Sequence, residues 1–183
     1  MNAWAPIILS TAAAVLAIDL APAKEPHAPG ACIGDLCLDR AKPSEDALVA
    51  RFGAGHIDNG GETHCYFQKQ EQIYFALSAD DHKERDREVA WVYVGTKPWL
   101  GCTHSLPPKS AFRDVGTPEG LHLGDSEARV RELYGHAPNF EAKQDGSRLV
   151  ATFGPCAPDC ALLEAQIVLV SGRVESILVS EEE

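Results

Sequence analysis

Positive charge is scarce in this chain. Its 183 residues carry 16 Lys and Arg against 27 Asp and Glu, for a formal net charge of −11. That balance excludes a nucleic-acid binder, because phosphates would be repelled, and argues against adhesion to an anionic membrane surface. A basic protein is the partner that long-range electrostatics would steer toward it. The apolar run at residues 7–18 is too short to serve as a membrane span, which needs about 20 residues. Catalytic signatures are missing as well. No Ser sits in a G-x-S-x-G elbow, and Gly53-Ala-Gly55 is a fragment of a dinucleotide fingerprint without the strand that should precede it. The acid pairs Asp35/Asp39 and Asp80/Asp81 read as turn and solvated loop, and His56, His122 and His136 as helix-end or surface residues. Neither enzyme activity nor a cofactor nor a bound metal is expected.

The composition, 45% hydrophobic and 23% charged, is that of a globular chain with room for one medium domain or two small ones. Residues 7–18 are followed by Ala21-Pro-Ala23, a small-x-small pattern that predicts a signal peptide over 1–23 with cleavage after Ala23, although Met1–Pro6 carries no Lys or Arg. No stable membrane span would then remain. Residues 24–31, rich in Pro, predict a flexible leader. Six cysteines, Cys32, Cys37, Cys65, Cys102, Cys156 and Cys160, suit an exported protein with disulfides, periplasmic or secreted. Many pairings are open to them. The spacing favours the local pairs Cys32–Cys37 and Cys156–Cys160, leaving Cys65 for Cys102. Zinc is the alternative, with His64 and His104 beside Cys65 and Cys102, but the C-x4-C and C-x3-C separations lack a second knuckle.

The densest structural signal lies at Gly120–Gly135. Leu121 and Leu123 alternate with His122, so they face one way on a short extended piece. Asp125 or Ser126 offers a side-chain oxygen to the first helical turn, and Val130, Leu133 and Tyr134 line one face of a helix. Gly135 is expected to end that helix with a positive φ, and Pro138 to prevent its resumption. Ser44–Gly53 can be laid on Ser126–Gly135 without gaps, matching Ser44 to Ser126, Glu45 to Glu127, Leu48 to Val130, Phe52 to Tyr134 and Gly53 to Gly135. An internal duplication about 80 residues apart explains this better than chance.

Strand patterns follow each helix. His64–Phe67 and Gln72–Leu77 predict a hairpin, and Arg148–Phe153, Leu162–Val170 and Val174–Ser180 predict three further strands. In Glu88–Val94 both faces are apolar, with Val89, Trp91 and Tyr93 opposite Ala90, Val92 and Val94. The expected fold class is therefore α+β: two tandem modules, 32–106 and 107–183, each a short helical element on an antiparallel sheet of about three or four strands. If Ala90, Val92 and Val94 pack beneath the first helix, then Tyr66, Tyr74, Trp91 and Tyr93 form a partner-binding aromatic patch in an acidic surround. The competing placement buries Trp91 against the second module or the linker, and Trp99 shares that alternative.

With its G-x-x-x-G-D-S-x-x-x-V-x-x-x-Y-G helix motif, carried by Gly120, Gly124, Asp125, Ser126, Val130, Tyr134 and Gly135 and followed by Pro138, the chain resembles the β-lactamase inhibitor protein type of fold. It is also similar to the small outer-membrane assembly lipoproteins, in which a helix precedes a sheet. The resemblance implies a non-catalytic exported protein that binds another protein, such as an inhibitor or immunity protein against a basic enzyme. The alternative it implies is an accessory component of cell-envelope assembly. It carries over no contact residue, because Gly, Asp and Ser serve turns and caps here.

Overall fold

In a β-sheet the polarity of each strand's two faces decides where the strand can sit. Val89–Gly95 (β6) and Arg173–Glu181 (β10) carry apolar residues on both faces, whereas His56–Asp58 (β3) and Glu141–Asp145 (β7) are short or polar. Doubly apolar strands belong in the middle of a sheet and charged ones at its edges. The structure, a computed structural model, follows that logic. It describes residues 30–38, 42–58, 63–79, 87–113, 115–137, 139–154 and 163–181. The predicted signal peptide, Asp39, Asp80, Asp81, Pro138, Cys156 and Cys160 lie outside the described residues.

Together with Thr63–Gln68 (β4), Ile73–Ala79 (β5), Arg148–Phe153 (β8) and Leu163–Val170 (β9), these strands form one antiparallel sheet. It has eight strands in the order β3-β4-β5-β6-β10-β9-β8-β7. This corrects the expected fold class. The protein is mostly β, with two short helices, and it does not divide into two modules each with its own sheet. The pairing of β6 with β10, from Ser176↔Gly95 to Ser180↔Trp91, makes one sheet where two were expected. One hydrophobic cluster runs beneath it, including Leu48 and Phe52 from the first half and Val130 and Tyr134 from the second.

Helix α1, Glu45–Phe52, and helix α2, Glu127–Tyr134, lie on one face of the sheet. Each begins at a Ser whose hydroxyl accepts from the third backbone N–H of the helix, Ser44 from Ala47 and Ser126 from Arg129, both at 3.3 Å. Each buries an i, i+4 pair, Leu48 with Phe52 and Val130 with Tyr134. Their ends differ. Gly53 has φ 84°, but Gly135 has φ −60°, so the positive φ expected at Gly135 is not used. There the chain continues through a further turn, with Ala137 N donating to Tyr134 O.

Two helices cannot cover this sheet. Eight strands spaced at about 4.8 Å span roughly 34 Å, while two helices about 10 Å wide leave a gap of roughly 14 Å. The hairpin of Cys32–Ile33 (β1) and Leu36–Cys37 (β2) fills that gap, packing against β6 and β10 between the helices. Ala31, Ile33, Leu36 and Leu38 all join the core, and the Cys32–Cys37 disulfide closes the hairpin. Gly34 N donates to Gly116 O, tying it to the chain before α2.

The connection between β6 and α2 acts as a strap. It starts on the face away from the helices, and Cys102 is bonded to Cys65 of β4. Leu106 then adds to the β4 edge, where Phe67 N donates to Leu106 O and Leu106 N to Cys65 O. On the helix side Phe112 enters the core, its backbone clamped by the buried Gln68 amide: Phe112 N donates to Gln68 Oε1 at 2.7 Å, and Gln68 Nε2 donates to Phe112 O at 3.2 Å.

Candidate functional site

Helices, hairpin and Phe112 all lie on one side, so the other face of the sheet is the surface free for function. Cross-strand registers set its residues. One row runs Cys65, Ala76, Tyr93, Leu178, Gln166, Thr152, Glu141, and the next Phe67, Tyr74, Gly95, Ser176, Val168, Val150, Lys143. The face is apolar in the middle and charged toward β7.

Over its centre stands the first part of the strap, Lys97-Pro98-Trp99-Leu100. Trp99 packs on Trp91 and Tyr93, with ring centroids 5.0 and 5.1 Å away. Tyr93 lies across Gly95, where any Cβ would stand 2.1 Å from the phenol oxygen, and its hydroxyl donates to Lys97 O at 2.8 Å. Gly is required at 95 by that close approach. Burial pushes the Tyr93 phenol up to about 12. Thr96 N donates to Glu175 O, and Lys97 pairs with the Glu175 carboxylate. A β-bulge at Val174/Ser176 brings Glu175 and Ser176 to the same face. Beyond the Cys65–Cys102 bond, Thr103 is held by Asp58, which accepts from Thr103 N at 2.7 Å and from its hydroxyl at 3.0 Å. The backbone donor of Thr103 holds the Asp58 carboxyl below its ordinary value.

Anchored at both ends, the loop walls a groove of about 480 Å³ whose other sides are Val168, Val170, Leu178 and Arg148. Leu100 projects at its rim, 98% exposed. Leu100 stands beside the half-buried Trp99 and the apolar side chains of the groove, so it extends an apolar surface that is open to contact.

The residues expected in the patch separate. Tyr66 is fully buried in the core, its hydroxyl donating to Gly53 O and its ring stacked on Phe75, so it is absent from the open face. Burial raises its phenol above the ordinary value. Tyr74 is half-buried on the open face against Phe67. Trp91 is half-buried beneath Trp99, and Tyr93 is only 6% exposed. Val89, expected beside Trp91, is in the core instead, because a bulge at Ser78/Ala79 shifts the register of β6. Sequence reasoning missed Leu100, Val168, Val170, Leu178, Glu175 and Arg148. The outward Val168 and Val170 of β9 and Leu178 of β10, alternating with inward Ile167, Leu169 and Ile177, were a usable signal, since a solvated face should be polar there.

His64 joins two elements of the fold. His64, 2% exposed, donates from Nδ1 to Ala54 O at 2.7 Å, and its Nε2 faces Glu45 Oε1 at 2.7 Å. With both nitrogens engaged it ties α1 to β4. His56 and His104 pack edge-on 5.1 Å apart. Cys65 and Cys102 are bonded to each other, so neither offers a thiolate to zinc. Among the described residues no group of three or more His, Cys, Asp or Glu is arranged to hold a metal ion, and no helix is long and apolar enough to cross a membrane. The two disulfides fit an exported protein in an oxidising compartment. No family model, curated protein or solved structure matches the chain.

Proposed function

We propose that this is a periplasmic or secreted protein-binding module, of inhibitor or immunity type, that docks a basic protein on its open sheet face. The observation that carries this is Leu100, 98% exposed at the tip of a loop fixed by the Tyr93–Lys97 hydrogen bond on one side and the Cys65–Cys102 disulfide on the other. Fixing a loop in advance removes part of the ordering cost of association. Trp91 and Trp99 supply the aromatic surface that protein interfaces favour. The net charge of −11 supports a basic partner through faster encounter.

The test is capture from envelope and secreted fractions with the immobilised full chain, wild type against Leu100→Asp and Trp99→Ala, followed by titration of each captured protein after purification. A basic protein should bind the wild type and lose about tenfold or more in affinity to either variant. Equal binding by all three removes the loop as the docking element.

A further inference from the structure

The groove beside Leu100 combines apolar walls with charged side chains. Three ionic side chains line it, Lys97, Glu175 and Arg148. Lys97 and Glu175 neutralise each other. Arg148 is exposed and has no ion pair among the described residues, although Asp145 stands opposite it in the β7–β8 register. A chain with a net charge of −11 therefore presents at this groove a guanidinium that is exposed and held in no ion pair among the described residues. Arg148 and Glu175 both act on the Tyr93 phenol under Trp99, which places them around the same floor. The rest of the lining is mixed, with Trp99, Val168, Val170 and Leu178 apolar and Ser147, Gln166 and Ser176 polar, and the volume of about 480 Å³ is that of a small-ligand site.

We infer that this groove receives an apolar or aromatic side chain of the protein partner with a carboxylate next to it, the ring lying between Trp99 and Leu178 and the carboxylate pairing with Arg148. This rests on the docking function proposed above and names the partner's anchor. Global charge and local anchor do different work: the acidic surface speeds the approach of a basic protein, and the single guanidinium selects the group that enters the groove. Guanidinium pairs a carboxylate through two parallel N–H donors, whereas an amide in its place accepts through one neutral oxygen.

The smallest probes with this chemistry are N-acetylphenylalanine and N-acetylphenylalaninamide, which differ only in the charge beside the ring. Each is titrated into the ¹⁵N-labelled full chain while the Trp99 indole and the Val168 and Leu178 amides are followed. The acid should give saturable shifts and bind about tenfold more tightly than the amide. Arg148→Gln should abolish the preference for the acid, so that acid and amide bind alike, with the thermal midpoint of the variant confirming an intact fold. Equal binding of acid and amide, an unaltered preference in Arg148→Gln, or no saturable shift with either probe overturns the inference. The docking function fails separately: if capture depends on Leu100 but not on Arg148, the face docks a partner and only the anchor is wrong.

Discussion

Removing the Cys65–Cys102 bridge tests how the strap is held. The perturbation is the pair Cys65→Ala with Cys102→Ala. The bridge spans 37 residues of sequence. Closing a loop of that length removes about 13 cal/mol/K of entropy from the unfolded chain, or about 4 kcal/mol at 25 °C. The folded state should change little, because the strap keeps its backbone bonds from Phe67 to Leu106 and from Lys109 to Phe52. The Cys32–Cys37 bridge, with a separation of 5, gives only about 2 kcal/mol by the same relation. Urea unfolding followed by tryptophan emission reads both pairs, since Trp91 and Trp99 pack on each other at the loop. The long bridge should cost about 4 kcal/mol, with m rising because the unfolded chain freed of its cross-link exposes more surface. A loss below about 1 kcal/mol would refute the loop-length reasoning and show that the unfolded chain is already constrained around Cys65.

Alkaline pH should destabilise the fold through its buried phenols. Tyr93 is held up to about 12 against an ordinary 10.0, so the unfolded chain gives up its proton first; the contribution is intact below pH 10 and is lost as pH rises through about 12, which thermal midpoints and tyrosinate absorbance will show together. Tyr66 and Tyr134, whose phenols burial also raises, should titrate only with unfolding. Ser44→Ala and Ser126→Ala should each cost about 1 kcal/mol in urea titrations by removing an N-cap acceptor. Gly95→Ala should cost roughly 1–3 kcal/mol and shift the Trp99 indole resonance, because the added methyl displaces Tyr93 from beneath it.

What was legible in the sequence was local. Ser44 and Ser126 marked the helix starts because a cap needs only its own next turn, and Arg148–Phe153 was bounded by turn residues on both sides. The two disulfides described are pairs that spacing favoured. What failed was long-range or a matter of parity. No local feature tells Trp91 that its neighbour is Ser180, so the single sheet was hidden and the chain read as two modules. His64-Cys65-Tyr66-Phe67 can bury either face, and Tyr66 was placed outward. The bridge decides otherwise: Cys102 follows a loop lying on the open face, so Cys65 must point there and Tyr66 inward. The groove was invisible for a similar reason, since Trp99 and Arg148 meet across β6, β10 and β9.

The central position of Arg173–Glu181 also governs when the molecule can be finished. A partly folded chain in which this segment is not yet in place leaves β6 and β9 with unpaired borders and no shared neighbour, prone to wrong partners. Closure of the sheet must therefore wait for this one segment to insert, and until then the two borders are the places where the chain is most exposed to mispairing.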